Sequence, residues 1–557
     1  MQKKVIKFIW LVFLFPVRPV WHTVCTTGYR SGECTRVGRA MSDMLVAVAD
    51  LQDNPKREEE STMNDVKRWH ELAAAVKPET RLFIDGKFVD SVDGQRFTTL
   101  NPANGKVLAE MVRGNEKDIE LAVKAARRAY KSGVWSRMSP RGRMDVMYKI
   151  ARLMEVHADE FALLDCLDMG KSITELTTGD VPFSALTFQY FGETIDKIEG
   201  AVTSTDPSAL HMIVREPLGV VACVTPWNYP LMMAAWKVAP ALAAGNSVIL
   251  KPAEQSPLSA LLLARIFAEA GVPDGVFNVV NGFGEDAGKA LALHMDVDKI
   301  GFTGSTEVGK LMMVYSGQSN MKKVTTECGG KSPQIIMPDA DLNAAVTYAV
   351  NGIYTNQGEV CSAGSRLLVH DAIYDDFVSR FASEAKRFQP GDPLDPATTM
   401  GPLVTREQQK RVLGYIDKAK KEGGEVVIGG GSPAGLEAGN YVQPTLFKGI
   451  TEDMTIAREE IFGPVGAVIR FKSYDEAVSI ANNSIYGLAS SVWTKDLNTA
   501  HRLARDLEAG LVWVNCYEHT DMTQPWGGYK QSGQGRDKCF ETMLAHMQTK
   551  SVWINLS

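Results

Sequence analysis

The sequence predicts an α/β protein whose centre is a doubly wound parallel sheet. Its strand candidates are short, β-branched and apolar along their whole length, as strands buried on both faces are. Each candidate is followed by a helical pattern, and strands that alternate with helices pair in parallel. The length of 557 residues is enough for two to four domains, at roughly 100–200 residues each.

The clearest alternation lies within residues 219–317. Four buried strands are predicted there: GVVACVTP, SVILKPA, GVFNVVNG and KIGFTG. Helices are predicted between the first three strands, and they should end at Gly245 and Gly271. Ser256 is expected to cap the second helix, with Pro257 in its first turn. This pattern indicates a sheet of the dinucleotide-binding kind.

The flanking regions extend the same architecture. Upstream, LFIDGKFVD predicts a hairpin that turns at Asp85-Gly86. Helical patterns follow in IELAVKAARRAYKSG and in RMDVMYKIARLMEVHADEFALLDCLDMG, which Gly170 closes. From Lys331 a second series of strands and helices begins with SPQIIMPDA and ends with GLVWVN. We therefore expect two α/β domains with a cleft between them near residues 320–365.

Composition excludes several classes of function. The net charge is −6 and there is no dense stripe of Lys or Arg, so nucleic acid is not an expected partner. The eight cysteines form no CxxC pair and show no metal-ligand spacing. Few, unpatterned cysteines in so long a chain indicate a reducing compartment, and we expect a cytoplasmic enzyme without a metal.

The amino terminus departs from this pattern. Lysines precede the apolar run Phe8–Val17, which is too short for a membrane span of roughly 20 residues, so no membrane partner is expected. Residues 1–24 do resemble a secretory signal. We favour the interpretation that residues 1–62 are an extension outside the functional core, with Met41 and Met63 as alternative starts.

Two residues are candidates for covalent chemistry. Cys361 lies in NQGEVCSAGSR between two glycines, on a turn where a ligand can approach, and its thiol becomes a nucleophile if its pKa falls. Glu327 in TTECGGKSP precedes two glycines and suits a general base acting on water. Taken singly, Cys361 fits an ordinary half-buried thiol better than a nucleophile, and Glu327 fits a surface glutamate better than a general base. Cys328 is expected to be structural.

Other candidates follow the predicted strands at the edge where parallel sheets bind ligands. Asn228 can donate to an oxyanion, or can simply form a turn. Lys251 and Glu254 can contact a sugar, or can be solvated charges. The start of the helix in FTGSTEVG can hold phosphate through backbone N–H groups, although it lacks the GxGxxG spacing; its residues are Gly304, Ser305 and Gly309.

Seven motifs resemble the aldehyde dehydrogenase superfamily in order and spacing: PWNYP, KPAEQSP, FTGSTEVG, ECGGKSP, NQGEVCSAGSR, EEIFGPV and PWGGYKQSGQGR. The resemblance covers about residues 64–557. It implies the aldehyde dehydrogenase fold, with a cofactor domain, a catalytic α/β domain and an oligomerisation arm with a β-hairpin. The implied limits are 63–194 and 218–328 for the cofactor domain, 329–530 for the catalytic domain, and 195–217 and 531–557 for the oligomerisation elements.

The resemblance also implies roles for individual residues. Cys361 is then the nucleophile, Glu327 the general base, Asn228 an oxyanion donor and Lys237 part of a proton relay. The implied contacts to NAD, or to NADP, come from Trp227, Lys251, Glu254, Gly304, Ser305, Gly309, Glu460 and Phe462. Glu254 favours NAD because a carboxylate repels a 2′-phosphate.

Within the superfamily, the chain is most similar to bacterial enzymes acting on γ-glutamyl-γ-aminobutyraldehyde and other aminoaldehydes. Asp180, Glu518 and Asp521 are expected at an acidic rim that favours an amine, or are ordinary solvated charges. Trp526 is expected to form an aromatic wall that faces a cation. The implied reaction oxidises an aminoaldehyde to its acid; the alternative is a broad-specificity, betaine or aliphatic aldehyde dehydrogenase.

Association of copies is expected as well. The resemblance implies a homodimer or homotetramer built through the hairpin DKIEGAVTSTDPSALHMIVREP and the strand near KSVWINLS.

Two other classes were weighed. A non-catalytic relative or a CoA-acylating enzyme is disfavoured because Cys361 and Glu327 are both present. A cysteine hydrolase needs a histidine partner, and His370, the nearest in sequence, belongs to no supporting motif.

Overall fold

The apolar runs become the central strands of two parallel sheets. The computed structural model describes residues 55–557, with side chains from residue 65 onward. The signal-like segment 1–24 and the alternative start Met41 lie outside the described residues, whereas Met63 lies in the first described helix. Residues 66–557 form one compact unit, to which everything below refers.

The elements before the first central strand are α1 Pro55–Ala75, β1 Leu82–Ile84, β2 Lys87–Val89, β3 Arg96–Leu100, β4 Val107–Val112, α2 Glu116–Ser132, α3 Pro140–Val156, α4 Ala158–Met169, α5 Ile173–Glu175, α6 Val181–Thr194, β5 Ala201–Val202 and β6 Ala209–Pro217. The central elements are β7 Val220–Val224, α7 Pro230–Ala243, β8 Ser247–Lys251, α8 Leu258–Ala270, β9 Phe277–Val279, α9 Lys289–Leu293, β10 Lys299–Thr303, α10 Thr306–Gln318 and β11 Lys323–Glu327.

The remaining elements are β12 Pro333–Ile336, α11 Leu342–Tyr354, β13 Arg366–His370, α12 Tyr374–Glu384, α13 Arg406–Lys421, β14 Glu425–Ile428, β15 Thr445–Ile450, α14 Thr455–Arg458, β16 Val465–Phe471, α15 Tyr474–Asn482, β17 Tyr486–Gly487, β18 Ala489–Trp493, α16 Leu497–Asp506, β19 Leu511–Val514, β20 Tyr529–Lys530, β21 Gly533–Gln534, α17 Cys539–Leu544 and β22 Met547–Asn555.

The first sheet has the order β2-β1-β9-β8-β7-β10-β11-β21. Its five inner strands, from β9 to β11, pair in parallel, whereas β1 and the edge strand β21 are antiparallel to their neighbours. Every residue of β8 and β10 is buried, as the uninterrupted apolar runs require. The four strands predicted within residues 219–317 and the hairpin at Asp85-Gly86 are confirmed.

Two local predictions differ from the structure. Ser256 does not cap α8, because its hydroxyl donates to the carbonyl of Trp227 at 3.2 Å. The carboxylate of Asp168, on α4, accepts from the first N–H of that helix, on Leu258, at 3.0 Å instead.

The long helix predicted up to Gly170 is two helices. The chain breaks at His157, whose φ of −97° and ψ of 21° leave the helical range. Its ring nitrogen meets the carboxylate of Glu160 at 3.2 Å, in the first turn of the second helix. Gly170 then ends that helix with a φ of 91°, as predicted.

The second sheet has the order β14-β15-β16-β13-β12-β18-β19 and is parallel from β15 to β19. Its core is separate from that of the first sheet, with Phe447, Val465 and Leu503 among its buried members. The loop between β11 and β12 connects the two sheets and carries the motif ECGGKSP. The expected pair of α/β units is confirmed.

A third, three-stranded sheet has the order β22-β6-β5. Nine residue pairs join β22 to β6, from Met547 opposite Pro217 to Asn555 opposite Ala209. The predicted hairpin and carboxyl-terminal strand are therefore both present. The domain limits themselves stay a prediction; β21, within 531–557, pairs with β11 of the first sheet.

No helix within residues 55–557 is long and apolar enough to cross a membrane.

Candidate active site

A cavity of about 660 Å³ opens at the carboxyl ends of β7, β10 and β11. Parallel sheets bind ligands at this edge, because the loops after their strands converge there. The predicted residues that line the cavity are Trp227, Asn228, Gly304, Ser305, Glu327, Cys361, Glu460, Phe462, Asp180, Glu518 and Trp526. Five predicted residues lie outside its lining: Lys237, Lys251, Glu254, Gly309 and Asp521.

Glu327 is the last residue of β11 and is 3% exposed. Its atom Oε1 is buried and has no hydrogen-bond partner among the described residues. Burial, reinforced by the nearby Asp537, raises the pKa of the Glu327 carboxyl well above its usual value. A carboxyl with a raised pKa accepts a proton more readily than an exposed glutamate, which suits a general base.

The two glycines after Cys328 lie so close to neighbouring segments that a side chain at either position would overlap them. A Cβ on Gly329 would lie 2.0 Å from a carboxylate oxygen of Glu460, and a Cβ on Gly330 would lie 2.7 Å from the carbonyl of Cys361. The N–H of Gly330 donates to Glu460 at 3.2 Å. The loop therefore approaches the segments on both sides more closely than any residue with a side chain allows.

Cys361 is half-buried and follows a turn with unusual backbone geometry. Asn356 and Gln357 have φ values of 50° and 55°, and Gly358 has a φ of 72°. Such conformations persist only where the surrounding structure enforces them. Burial, together with the carboxylates around the site, raises the pKa of the Cys361 thiol well above its usual value. The sequence led us to consider a lowered pKa for the Cys361 thiol, but the residues around it raise that pKa instead.

Asn228 lies beside the loop that carries Cys361. Its side-chain Nδ2 donates to the carbonyl of Glu359 at 2.8 Å, while its backbone carbonyl accepts from the side chain of Asn356 at 2.9 Å. An amide carries two hydrogens on Nδ2, so one remains for a ligand in the cavity. Asn228 is 4% exposed, and the bond from its amide to Glu359 holds that amide against the loop that carries Cys361.

Lys237 is buried on α7, and its Nζ pairs with Asp537 at 2.8 Å. Both charges act on the pKa of Glu327: Asp537 raises it and Lys237 lowers it. The pair thus lies within electrostatic reach of the general-base candidate, although it does not line the cavity.

The loop Glu460–Phe462 closes one end of the cavity. Burial raises the pKa of Glu460 to about 7. Phe462 has a φ of 59°, and its ring packs edge-on against Trp227 at 5.1 Å between centroids. Helix α13 holds the loop: Gln408 donates to the carbonyl of Phe462 at 2.6 Å, and Arg411 to that of Glu460 at 3.2 Å.

The residues predicted to hold phosphate lie at the start of α10. Ser305 caps the helix, accepting from the N–H of Val308 at 3.3 Å, and Gly304 donates to the carbonyl of Glu327 at 3.1 Å. A Cβ on Gly309 would lie 2.6 Å from the sulfur of Cys328, so the glycine permits close packing of helix on loop. Cys328 is buried, which agrees with its expected structural role.

Lys251 and Glu254 form an ion pair of 3.1 Å after β8. Lys251 is only 3% exposed, so it is not a solvated charge. The pair, the helix start and the Trp227–Phe462 contact supply a cation, ribose acceptors, backbone donors and aromatic surface along one edge of the sheet. This set of groups fits a dinucleotide.

The opposite end of the cavity is largely apolar. Its walls come from α6, α7, the loop that carries Cys361 and the loop before β20, through Pro182, Phe183, Leu186, Met232, Met233, Trp236, Val360 and Trp526. Polar groups among these walls are few, as is usual for a pocket that binds an organic ligand.

The three predicted rim acids have different environments. Both oxygens of Asp180 accept from Lys171 at 2.8 Å, so a buried ion pair already compensates this charge. Asp521 is exposed and accepts from Thr523 within its own turn. Only Glu518 lines the cavity without an ion-pair partner among the described residues, and burial raises its pKa to about 7.

Trp526 does face a cation, but that cation belongs to the protein. The Nζ of Lys538 lies 4.9 Å from the ring centroid of Trp526 and 5.2 Å from that of Trp236. The backbone of Trp526 also forms two hydrogen bonds with Asp537, at 2.9 and 2.7 Å. The aromatic wall and the partner of Lys237 are thus directly linked.

Sequence reasoning missed two residues that assemble the site. Asp537 pairs with Lys237, and Ser532 holds the glycine loop by donating to the carbonyl of Gly329 at 2.7 Å. Ser532 lies within the motif PWGGYKQSGQGR and Asp537 directly follows it, so the motif marked the region, but no local signal identified the contacts. His370 accepts from Ala372 at the start of a helical turn and does not line the cavity, which disfavours a cysteine hydrolase.

The fold and the cavity define a class: a dehydrogenase with a cysteine and a buried glutamate at the cofactor edge of a parallel sheet. The chain belongs to the aldehyde dehydrogenase family, whose profile matches residues 88–552. It is an enzyme that oxidises aldehydes.

Three relatives illustrate the family. The chain is 47% identical to the NADP/NAD-dependent aldehyde dehydrogenase PuuC of Escherichia coli (strain K12), over 88% of this chain and 98% of that protein. It is 50% identical to a crystal structure of γ-glutamyl-γ-aminobutyraldehyde dehydrogenase from Burkholderia cenocepacia, with a TM-score of 0.87, covering 88% of this chain and 100% of that one. It is 48% identical to the indole-3-acetaldehyde dehydrogenase AldA of P. syringae in complex with NAD+ and IAA, with a TM-score of 0.87, covering 88% and 99%.

The raised pKa of Cys361 predicts that its thiol reacts slowly with electrophiles in the protein without ligands. Alkylation by iodoacetamide at this residue should be slow at pH 7 and should still be accelerating with pH where the rate for an ordinary exposed thiol has levelled off, because only the thiolate reacts. Peptide mapping by mass spectrometry measures the rate, with Cys361→Ala as the blank. A rate that levels off below pH 8 would contradict the prediction.

Proposed function

We propose that the enzyme oxidises amine-bearing aldehydes, such as γ-glutamyl-γ-aminobutyraldehyde, to carboxylic acids with NAD or NADP. The observation that carries the substrate class is Glu518, a carboxylate that lines the cavity without an ion-pair partner among the described residues and accepts a hydrogen bond from Ser362 at 2.8 Å. The similarity to the Burkholderia cenocepacia enzyme and to PuuC supports the same class.

The residues present suit the nicotinamide cofactor that the relatives use. Lys251 and Glu254 would contact the adenosine ribose, and Gly304, Ser305 and the nearby Gly309 would adjoin the pyrophosphate. Glu460 and Phe462 would adjoin the nicotinamide, with Trp227 alongside. When bound, the oxidised nicotinamide brings a positive charge near the site and accepts a hydride.

Cys361 begins the proposed reaction. Its thiol loses a proton and the sulfur bonds to the aldehyde carbon, which turns the carbonyl oxygen into an oxyanion. The free N–H of Asn228 and the backbone N–H of Cys361 donate to that oxygen; losing one such donor typically costs about 10²–10³ in rate. After the hydride has left the carbon, the substrate remains on Cys361 as a thioester.

Glu327 completes the proposed cycle. Its carboxylate takes a proton from water, whose oxygen bonds to the thioester carbon; the sulfur then leaves and the acid is released. The proton on Glu327 must return to solvent, and Lys237 with Asp537 lies within electrostatic reach to assist that transfer. The aldehyde is oxidised by two electrons, and the acid gains its second oxygen from water.

Variants of the two reacting residues test this sequence. Cys361→Ala should abolish aldehyde oxidation because no thioester forms. Glu327→Gln should give a burst of reduced cofactor followed by turnover slowed by about 10²–10³, since hydrolysis loses its base. Stopped-flow absorbance measures both phases, and full turnover by Cys361→Ala would contradict the assignment.

Glu518 supplies the test of substrate class. Its carboxylate must be ionised to attract an ammonium, so kcat/KM for 3-aminopropanal should rise relative to that for propanal as pH rises through about 7. Glu518→Gln should remove that rise and lower the ratio about tenfold at pH 8, while Asp521→Asn, at an exposed acid outside the cavity, should leave it unchanged.

Steady-state kinetics between pH 6 and 8 measure the ratio. If 3-aminopropanal is no better than propanal at any pH, the amine assignment fails, while aldehyde oxidation stands. An apolar aromatic aldehyde is then the second candidate, because aromatic and thioether side chains dominate the aldehyde end, and because AldA is 48% identical.

We also propose that the enzyme is a homodimer or homotetramer. The three-stranded sheet leaves apolar side chains in water: Val202, Trp553, Ile554 and Leu556. Such a patch next to a strand edge is typical of an interface. We further propose a cytoplasmic location, which the six free thiols among the described residues support.

The patch predicts the effect of a charge on association. Trp553→Asp should shift the protein to a smaller species, because a buried charge in an interface is costly. Light scattering after gel filtration measures the mass. Leu497→Asp, at a similarly exposed residue on α16, is the control; equal masses for both variants would contradict the proposal.

A further inference from the structure

Lys538 takes no part in the reaction described above, yet it is among the most buried cations of the described chain. Its side chain is 0% exposed, and it follows Asp537 directly. Its Nζ donates to the hydroxyl of Thr520 and lies against the rings of Trp236 and Trp526. Thr520 and both tryptophans line the cavity, the tryptophans at its largely apolar end.

The ammonium of Lys538 has an unusual set of partners. Among residues 65–557, no carboxylate oxygen lies within 4.0 Å of its Nζ. The titratable groups that face it are Asp521, Asp537 and Cys539. A buried cation normally has an anion in contact. Here two indole rings take that place, and an ammonium against an aromatic face is stabilised by the ring's quadrupole.

The backbone of Lys538 is constrained as well. Its φ of 58° and ψ of −155° lie in a region that residues with a Cβ rarely adopt. Glycine would relieve the backbone, and the chain has glycines nearby at Gly533 and Gly535, both with positive φ. A lysine at this position therefore indicates a use for its side chain.

The two indoles come from distant parts of the chain. Trp236 lies on α7, and Trp526 lies in the loop before β20, with ring centroids 5.5 Å apart and planes 62° apart. Lys538 contacts both rings at once. Its side chain therefore limits how far either ring can turn toward or away from the cavity.

We propose that Lys538 is a positioning residue that fixes the Trp236–Trp526 wall and thereby sets the preference for aldehydes long enough to contact that wall. The proposal concerns the wall alone, so it holds whether or not the natural substrate carries an amine. Loss of the ammonium frees both rings, and a bulky aldehyde then meets a wall without a fixed shape.

Three substitutions separate charge, shape and backbone strain. Lys538→Met keeps the chain length without the charge, Lys538→Arg keeps the charge, and Lys538→Gly relieves the backbone. Lys322→Met is the matched control: Lys322 is also buried with a pKa lowered to about 8, but it bonds to the carbonyl of Ala292, and neither it nor Ala292 lines the cavity.

Phenylacetaldehyde and acetaldehyde are the paired substrates, since the second has only a methyl group beyond its reacting carbon. Lys538→Met and Lys538→Gly should raise KM for phenylacetaldehyde about tenfold and change that for acetaldehyde less than about twofold. Lys538→Arg should restore most of the preference, and Lys322→Met should retain it. Lys538→Gly should match or exceed Lys538→Met in Tm, so that a lost preference is not a lost fold.

The pH profile is an independent readout. Burial lowers the pKa of Lys538 to about 8, so the ammonium is lost as pH rises past that value. The ratio of kcat/KM for the two aldehydes should therefore fall above about pH 8 in the wild type. It should be flat in Lys538→Met. Equal changes in KM for both aldehydes, or an unchanged preference in Lys538→Met, would overturn the proposal.

Discussion

The site depends on one steric constraint: the absence of side chains at Gly329 and Gly330. These residues lie where the strand that ends at Glu327, the loop carrying Cys361 and the loop carrying Glu460 approach within contact distance. A methyl group at either glycine would overlap one of the other segments. Because this loop also connects the two sheets, close packing at these glycines sets the position of Glu327 relative to the Cys361 thiol.

The acidity of the site follows from that packing. Glu327 and Glu460 are brought near Cys361 within a buried space, and each of the three groups acquires a raised pKa. A protein that gathers carboxyls around its thiol stabilises the neutral form of both. The charged forms of these groups are disfavoured by their surroundings, so a positive charge brought close to Cys361 would favour its thiolate.

The sequence predicted the sheets well because their signals are local. A strand buried on both faces must be apolar throughout, and the runs that become β8 and β10 show this without reference to any neighbour. The predicted cap of α8 was wrong because the residue that caps this helix is distant in the sequence. Its first N–H bonds to Asp168, 90 residues away, and nothing near Ser256 in the sequence reveals that contact.

For the candidate site, Cys361 and Glu327 gained significance only from the order of the motifs around them. The same motifs did not reveal Asp537, because its contact with Lys237 spans 300 residues. The acidic rim shows a further limit of sequence reasoning. Charges can be counted from the sequence, but the pairing of Asp180 with Lys171 exists only after a helix has brought them together.

The two hydrogen bonds between Trp526 and Asp537 join a wall of the cavity to the carboxylate that pairs with Lys237. A protein engineer who reshapes the aromatic wall at Trp526 also moves the carboxylate that pairs with Lys237. In evolution, a substitution that reshapes this wall would also change the surroundings of Glu327, whose pKa Asp537 raises. New specificity in this scaffold is therefore easier to gain at walls that lack such a link, such as the helix face of Phe183 and Leu186.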